Sequence, residues 1–93
     1  MDSNFSSNPN RKGSEERQQD HQSCLVLHND HVNTFDFVME ALEQVCDHTV
    51  LQAEQCAVLA HLKGKCEILR GDQSRLRDVR ITLINRGLKV TIE

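Results

Sequence analysis

The chain has 93 residues, enough for one small domain, and its 11 Lys and Arg against 14 Asp and Glu give a net charge of −3. This charge, with three Phe and no Trp or Tyr, argues against a nucleic-acid partner, which requires basic patches and stacking aromatic rings. Because no segment approaches the ~20 apolar residues of a bilayer span or the roughly 7–15 of a secretory signal, we expect a soluble cytoplasmic protein without a membrane partner.

Residues 1–21 are predicted to form a disordered N-terminal extension, and residues 22–93 the folded domain. The first twenty residues, MDSNFSSNPNRKGSEERQQD, contain only two apolar side chains, Met1 and Phe5. Such a segment cannot bury enough apolar surface to offset the entropy that it loses on ordering. The remaining core is small, so we expect any binding site to be a shallow pocket between elements.

The first half of the domain is predicted to form a strand, a loop and two helices. The apolar run 24–27 predicts the strand, and the polar residues 28–33 predict the loop. The first helix is predicted to begin after Asn33 or Thr34, with Asn33 and Asp36 as a capping box. The second helix is predicted to run from a Thr49–Gln52 capping box to Gly64. The predicted inner faces are Phe35, Val38, Leu42 and Val45 in the first helix and Ala53, Cys56, Ala57 and Ala60 in the second.

The second half is predicted to form a strand, a helix and a final strand. Residues 65–70 alternate as a strand, Gly71 and Asp72 form a turn, and a helix follows over about 74–86. The predicted inner face of this helix is Leu76, Val79, Leu83 and Ile84. Gly87 ends it, and residues 88–93 alternate as a half-buried strand. The order β-α-α-β-α-β predicts an α+β two-layer sandwich, with three helices on one face of a three-stranded sheet.

The loop Asn29-Asp30-His31 is the richest polar cluster in the chain. Amide, carboxylate and neutral imidazole groups all accept hydrogen bonds, so this set suits a cation that carries several N–H donors. The alternative is that Asn29 and Asp30 only form an Asx turn before a helix. His61, near the end of the second predicted helix, is either a solvated side chain or a binding residue.

The four cysteines are expected to be reduced, and Cys46, Cys56 and Cys66 to be core residues, because they lie among apolar neighbours. The Cys and His spacings lack the two close pairs of a structural zinc site, so we expect no metal and no cofactor. There is no nucleophile elbow, phosphate-binding loop or HExxH motif. We therefore expect a protein that is not an enzyme.

Two motifs resemble those of the ClpS family. Residues 27–38, LHNDHVNTFDFV, are similar to its strand-loop-helix signature, and residues 60–65, AHLKGK, to its second signature. Gln52-Ala53 and Gln55 also fit this second motif, and residues 88–93 resemble the last strand of the family. The resemblance covers about residues 24–93 and implies an antiparallel sheet.

The resemblance also implies a function. ClpS proteins are bacterial adaptors that bind proteins whose first residue is Leu, Phe, Tyr or Trp. They deliver these N-degron substrates to a Clp-class AAA+ unfoldase, of the ClpA or ClpC type, for degradation with ClpP. The N-terminal extension of the family takes part in delivery, which implies a role for residues 1–21 here.

The resemblance assigns a role to ten residues. The implied amine-binding residues are Asn29, Asp30, His31 and His61, and the implied hydrophobic pocket comprises Asn33, Phe35, Val38, Ala57, Ala60 and Leu88. Phe35 stands where the family excludes β-branched first residues, and the two alanines imply a wider pocket.

His31 departs from the family pattern, which has an acidic residue at this position. A histidine accepts one hydrogen bond when neutral and none when protonated. We therefore expect weaker amine binding, which depends more on Asp30 and is lost below about pH 6.5. The alternative is a regulator that binds the Clp unfoldase but has lost recognition of the amine.

Overall fold

The computed structural model describes residues 22–93, and the predicted disordered extension lies outside these residues. Its elements are, in chain order, β1 (Gln22–His28), α1 (Phe35–Cys46), α2 (Val50–Lys63), β2 (Lys65–Asp72), α3 (Gln73–Asn85) and β3 (Val90–Ile92). This order confirms the predicted β-α-α-β-α-β arrangement and the α+β class.

The strand β1 lies at the centre of a three-stranded sheet with the order β2-β1-β3. Both of its neighbours run antiparallel to it, as the resemblance implied. The register shifts between Leu25 and Val26, whose partners on β2 are Leu69 and Glu67. Ile68 is therefore an extra, unopposed residue in β2, which is the definition of a β-bulge.

The core lies between the sheet and the three helices. Its largest fully buried side chains are Leu25 from β1, Leu42 from α1, and Leu76 and Leu83 from α3. The buried residues of α2 are all alanines, at positions 53, 57 and 60. Small side chains allow α2 to approach its neighbours closely, and this closeness sets the dimensions of the site described below.

The helix caps agree with the sequence prediction except at α1. Thr49 and Gln52 form the expected capping box of α2, and Gly64 ends the helix with a φ of 95°. The N-cap of α1 is Thr34, whose side chain accepts from the Phe37 N–H. The predicted capping box of Asn33 and Asp36 is therefore wrong, because the Asn33 side chain is bonded elsewhere.

Several element boundaries also differ from the prediction. Gly71 pairs with Ser23 across the sheet, so β2 continues through the predicted turn and α3 begins directly after Asp72. Leu88 is buried but precedes β3. The last strand is therefore shorter than the alternation from residue 88 suggested.

Several predicted core positions are more exposed than expected. Phe35 is 44% exposed and Ile84 is 40% exposed, so their placement on the inner faces of α1 and α3 is wrong. Cys46 is buried as predicted, whereas Cys56 and Cys66 are only partly buried and pack against the edge of the core. All four cysteines are free thiols.

Replacing Gly64 by alanine is expected to destabilise the fold more than the same change at Gly71. A Cβ at Gly64 would meet no atom within 4 Å, but the φ of 95° is strained for any L side chain. Left-handed backbone costs about 1–2 kcal/mol per non-glycine residue. Gly71 lacks this positive φ and its added Cβ would meet only ordinary contacts, the nearest at 3.7 Å.

Urea unfolding of the Gly64→Ala and Gly71→Ala variants measures the difference directly. We expect Gly71→Ala to stay within about 0.5 kcal/mol of the parent protein. Equal losses in the two variants would contradict the assignment of the strain to the end of α2.

Candidate functional site

An open pocket of about 370 Å³, counting the solvent at its mouth, lies where β1, the following loop, α1 and α2 meet. It is lined by Leu27, His28, Asn29, Asp30, Asn33, Phe35, Val38, Ala57, Ala60, His61 and Leu88. Nine of the ten residues that the resemblance assigned are in this set, all but His31. His31 is exposed in the bend after Asp30 and outside the lining.

A second depression lies on the outer side of α2. Residues of α2 alone line it, between Leu51 and Leu59, so no other element closes it. The first pocket is instead enclosed by residues from both ends of the chain and combines apolar walls with polar groups at its mouth. Sites that bind small groups usually have this combination, which makes the first pocket the candidate site.

The walls of the pocket are apolar. Val38 from α1, Ala57 and Ala60 from α2, and Leu88 are all buried residues of the core cluster. The two alanines leave the space that longer side chains at these positions would fill. The pocket is therefore apolar inside and open at its mouth.

The aromatic ring of Phe35 and the imidazole of His61 meet at the mouth of the pocket. Their centroids are 5.7 Å apart and their planes make an angle of 80°, an edge-to-face arrangement. Phe35 lies in the first turn of α1 and is 44% exposed, so it forms the rim rather than the core. The contact restricts the position of the His61 ring beside the apolar walls.

Asn29 is held in place through both its backbone and its side chain. Its N–H donates to the Gly64 carbonyl at 2.9 Å, which ties the loop to the end of α2. Its side-chain Oδ1 accepts from the Asp30 N–H at 2.8 Å. Because an amide oxygen has two lone pairs, Oδ1 keeps one acceptor position for a ligand.

The Asp30 carboxylate accepts two hydrogen bonds within the loop. Its Oδ1 accepts from the Val32 N–H at 2.7 Å, and its Oδ2 from the Asn33 side-chain amide at 2.6 Å. The Val32 bond first, and then the Asn33 bond, hold the pKa of Asp30 below its usual value. The carboxylate is therefore ionised and has further lone pairs free. The Asx turn and the cation-binding cluster, which the sequence offered as alternatives, occur in the same loop.

Asn33 connects this loop to the far end of the chain. Its side-chain Nδ2 donates both to Asp30 and, at 2.9 Å, to the carbonyl of Gly87. Gly87 directly precedes Leu88, so one amide group positions the carboxylate and a pocket wall relative to each other. Asn33 is thus a structural clamp as well as a lining residue.

Sequence reasoning missed two kinds of residue at the site. Leu27 lines the pocket, and its inward direction could have been read from the alternation of β1. His28 also lines the pocket, although its imidazole bonds to Thr91 at 2.7 Å. The supporting carbonyls of Gly64 and Gly87 have no side-chain signal, and only the fold reveals them.

The model of the family described as ATP-dependent Clp protease adaptor protein ClpS matches residues 18–91. The chain belongs to the ClpS family. It is therefore an adaptor of the ATP-dependent Clp protease. Among solved structures, Agrobacterium tumefaciens ClpS2 bound to L-phenylalaninamide matches with a TM-score of 0.69 and 18% identity, over 78% of this chain and 95% of that one. This likeness shows that the two proteins share a fold. No curated protein matches the sequence.

Within residues 22–93, no three His, Cys, Asp or Glu side chains are grouped so that they could hold a metal ion. In the same part of the chain, no helix has the length and apolar character to cross a membrane.

Removal of the Asn33 clamp is expected to raise the pKa of Asp30 and to destabilise the loop. In Asn33→Ala, the carboxylate loses a donor that lowers its pKa, and Gly87 loses its partner. The lost bonds predict a cost of about 1 kcal/mol in the free energy of unfolding near neutral pH. Titration of the Asp30 carboxyl by NMR and urea unfolding measure the two effects.

The destabilisation caused by Asn33→Ala is expected to depend on pH in a defined direction. A carboxyl whose folded pKa is lowered stabilises the protein above its unfolded value of about 3.9 and loses this effect as pH falls through the folded pKa. The cost of Asn33→Ala is therefore expected to be larger at about pH 7 than at about pH 2. An unchanged Asp30 titration, or an equal cost in the exposed control Asn85→Ala, would argue against the clamp.

Proposed function

We propose that this ClpS-family adaptor binds proteins whose first residue is Leu, Phe, Tyr or Trp. It delivers them to a Clp-class AAA+ unfoldase, of the ClpA or ClpC type, for degradation with ClpP, and it is not itself an enzyme. One observation supports this proposal most strongly. Hydrogen-bond acceptors converge at the mouth of an apolar pocket that is open to solvent.

The polar mouth suits a protonated α-amino group. An ammonium group has three N–H donors, and each donor that loses water needs a new acceptor. Asn29 Oδ1, the Asp30 carboxylate and a ring nitrogen of His61 are the acceptors available in the lining. Capture of an N-terminal amine by such a cluster is a known mode of peptide recognition.

The apolar walls suit a bulky first side chain. Transfer of a Leu- or Phe-sized group from water into such a pocket contributes roughly 1.5–3 kcal/mol. An alanine side chain would bury far less area and leave the pocket partly empty. The ligand of the ClpS2 structure, L-phenylalaninamide, combines a free amine with an aromatic side chain, which agrees with the proposed ligand class.

A second candidate function is that of a Clp-unfoldase-binding regulator without amine recognition. Two observations favour it. The family acid is replaced by His31, which is exposed and outside the pocket lining. Asn29 and Asp30 also already accept hydrogen bonds from their own loop. Direct binding measurements separate the two functions.

Fluorescence anisotropy with labelled peptides that differ only at residue one tests the proposal. Peptides that start with Leu, Phe, Tyr or Trp are expected to bind with similar saturable curves. Peptides that start with Ala, or with N-acetylated Leu, are expected to bind at least about tenfold more weakly, a difference of about 1.4 kcal/mol. The first loses apolar contact, and the second loses the ammonium group.

A matched pair of variants tests whether this pocket is responsible. Ala57→Leu fills the space between the walls and is expected to abolish binding, whereas Gln55→Leu places the same leucine side chain at an exposed position of α2. Thermal unfolding of both variants checks that they are folded. Binding of no peptide by the folded parent protein would favour the regulator instead.

The affinity for free-amine peptides is expected to fall between about pH 7, where the α-amino group is already mostly protonated, and about pH 5.5, because a protonated imidazole repels the ammonium group and accepts no hydrogen bond. The sequence alone attributes this fall to His31. Since His61 lines the pocket and His31 does not, we expect the His31→Gln variant to retain most of it. Anisotropy titrations across this pH range decide between the two histidines. If the affinity of His31→Gln does not change with pH, the fall in the parent protein is due to His31.

A further inference from the structure

Two cysteines outside the binding pocket lie against each other, one on α2 and one on β2. The Cys56 thiol donates to the Glu67 carbonyl at 3.9 Å, and the Cys66 thiol donates to the same oxygen at 3.4 Å. Both thiols therefore lie at the same carbonyl oxygen. Both side chains are partly exposed, so an oxidant in solution can reach them.

The β-bulge of β2 accounts for this arrangement. Glu67 and Ile68 are the residues at the bulge, and their carbonyls accept hydrogen bonds from side chains. The Ile68 carbonyl accepts from His48 Nε2 at 2.7 Å, and the Glu67 carbonyl from the two thiols. These contacts hold α2 and the segment before it over an edge strand, which would otherwise present unpaired groups.

We propose that Cys56 and Cys66 are a site of reversible oxidation, at which hydrogen peroxide or a similar two-electron oxidant forms an intramolecular disulfide. Cys66 first gives up its thiol proton, and the thiolate attacks the peroxide and becomes a sulfenic acid, while the released hydroxide takes up that proton as one water. Cys56 then displaces the sulfenic hydroxyl, which leaves with the Cys56 proton as a second water. The two thiols lose two electrons in total, and thiols in solution restore them by exchange.

The order of these two steps follows from the surroundings of Cys56. Burial and the neighbouring Cys66 thiol raise the pKa of Cys56 to about 12. Cys56 is therefore a thiol at neutral pH and a poor first nucleophile, since the thiolate is the reactive form. It lies in position to resolve a sulfenic acid on Cys66.

The other two cysteines are poorly placed for the same reaction. Cys46 is buried, and burial raises its pKa to about 11. Cys24 neighbours the inward-facing Leu25 on β1, so it faces the opposite side of the sheet from the helices. Gly64 separates α2 from β2 in the chain, and the disulfide would link these two elements. Its Cys56 end would lie next to the turns of α2 that carry Ala57 and His61.

Mass spectrometry of the folded full chain after peroxide treatment tests the proposal. Each oxidised molecule is expected to lose the mass of two hydrogen atoms, to map after alkylation and digestion to a Cys56–Cys66 disulfide, and to return to the original mass with dithiothreitol. The Cys24→Ser variant is expected to behave in the same way. The Cys66→Ser variant is expected to form no intramolecular disulfide, and thermal unfolding checks that it is folded.

Three results would overturn the proposal. The first is that all four thiols of the folded protein survive treatment that oxidises the protein unfolded in guanidinium. The second is that the disulfide of the parent protein maps to Cys24 or Cys46. The third is that Cys66→Ser forms an intramolecular disulfide to the same extent as the parent protein.

Discussion

The loop of residues 29–33 at the mouth of the pocket depends on hydrogen bonds to two glycine carbonyls. Asn29 donates its backbone N–H to Gly64, and Asn33 donates its side-chain amide to Gly87. Each glycine has a φ of 95°. This conformation ends α2 at Gly64 and turns the chain toward β3 at Gly87, and it is costly for other residues. The positions of the loop acceptors are therefore set by backbone geometry at two distant helix ends.

This arrangement explains how a chain of this size forms a binding site. A small domain has little interior volume, so the pocket lies at the surface where several elements meet. Its polar groups are ordered before a ligand arrives, because the loop is bonded internally and tied at both ends. Preordered groups lose less conformational entropy on binding, which raises the affinity available from few contacts.

The same hydrogen bonds limit the chemistry of the site. Asn29 and Asp30 each accept hydrogen bonds from the loop itself. Neither side chain is therefore wholly free to bind a ligand, although each retains unused lone pairs. His61 is positioned by its edge-to-face contact with Phe35 and not by a hydrogen bond to the loop. The proposed amine site thus combines two acceptors fixed by hydrogen bonds with one fixed by aromatic packing.

Much of the fold could be predicted from the sequence because its signals are local. The Thr49–Gln52 capping box and the glycine at position 64 predicted the bounds of α2, an apolar run located β1, and apolar alternation located β2 and β3. The prediction failed where a distant contact decides the outcome. Asn33 and Thr34 are both good N-caps, and only the bond from Asn33 to Gly87, 54 residues away, leaves the role to Thr34.

The candidate site also has features that local sequence patterns predict and features that depend on distant contacts. Ten residues could be singled out because their motifs resemble a known family, and all of these but His31 line one pocket. The clamp function of Asn33 and the supporting carbonyls could not be predicted, since they arise from long-range backbone contacts. The packing of Cys56 against Cys66 likewise depends on a β-bulge that has no pattern in the sequence.

Binding of a bulky residue with a free amine in one pocket can be followed by ¹⁵N–¹H NMR titration of separate samples with L-phenylalaninamide and with N-acetyl-L-phenylalaninamide. We expect saturable shifts at Asn29, Asp30, Phe35, Ala57 and His61 with the first ligand, and much smaller shifts with the second. Shifts confined to the outer side of α2 between Leu51 and Leu59, or equal responses to the two ligands, would contradict the proposed site.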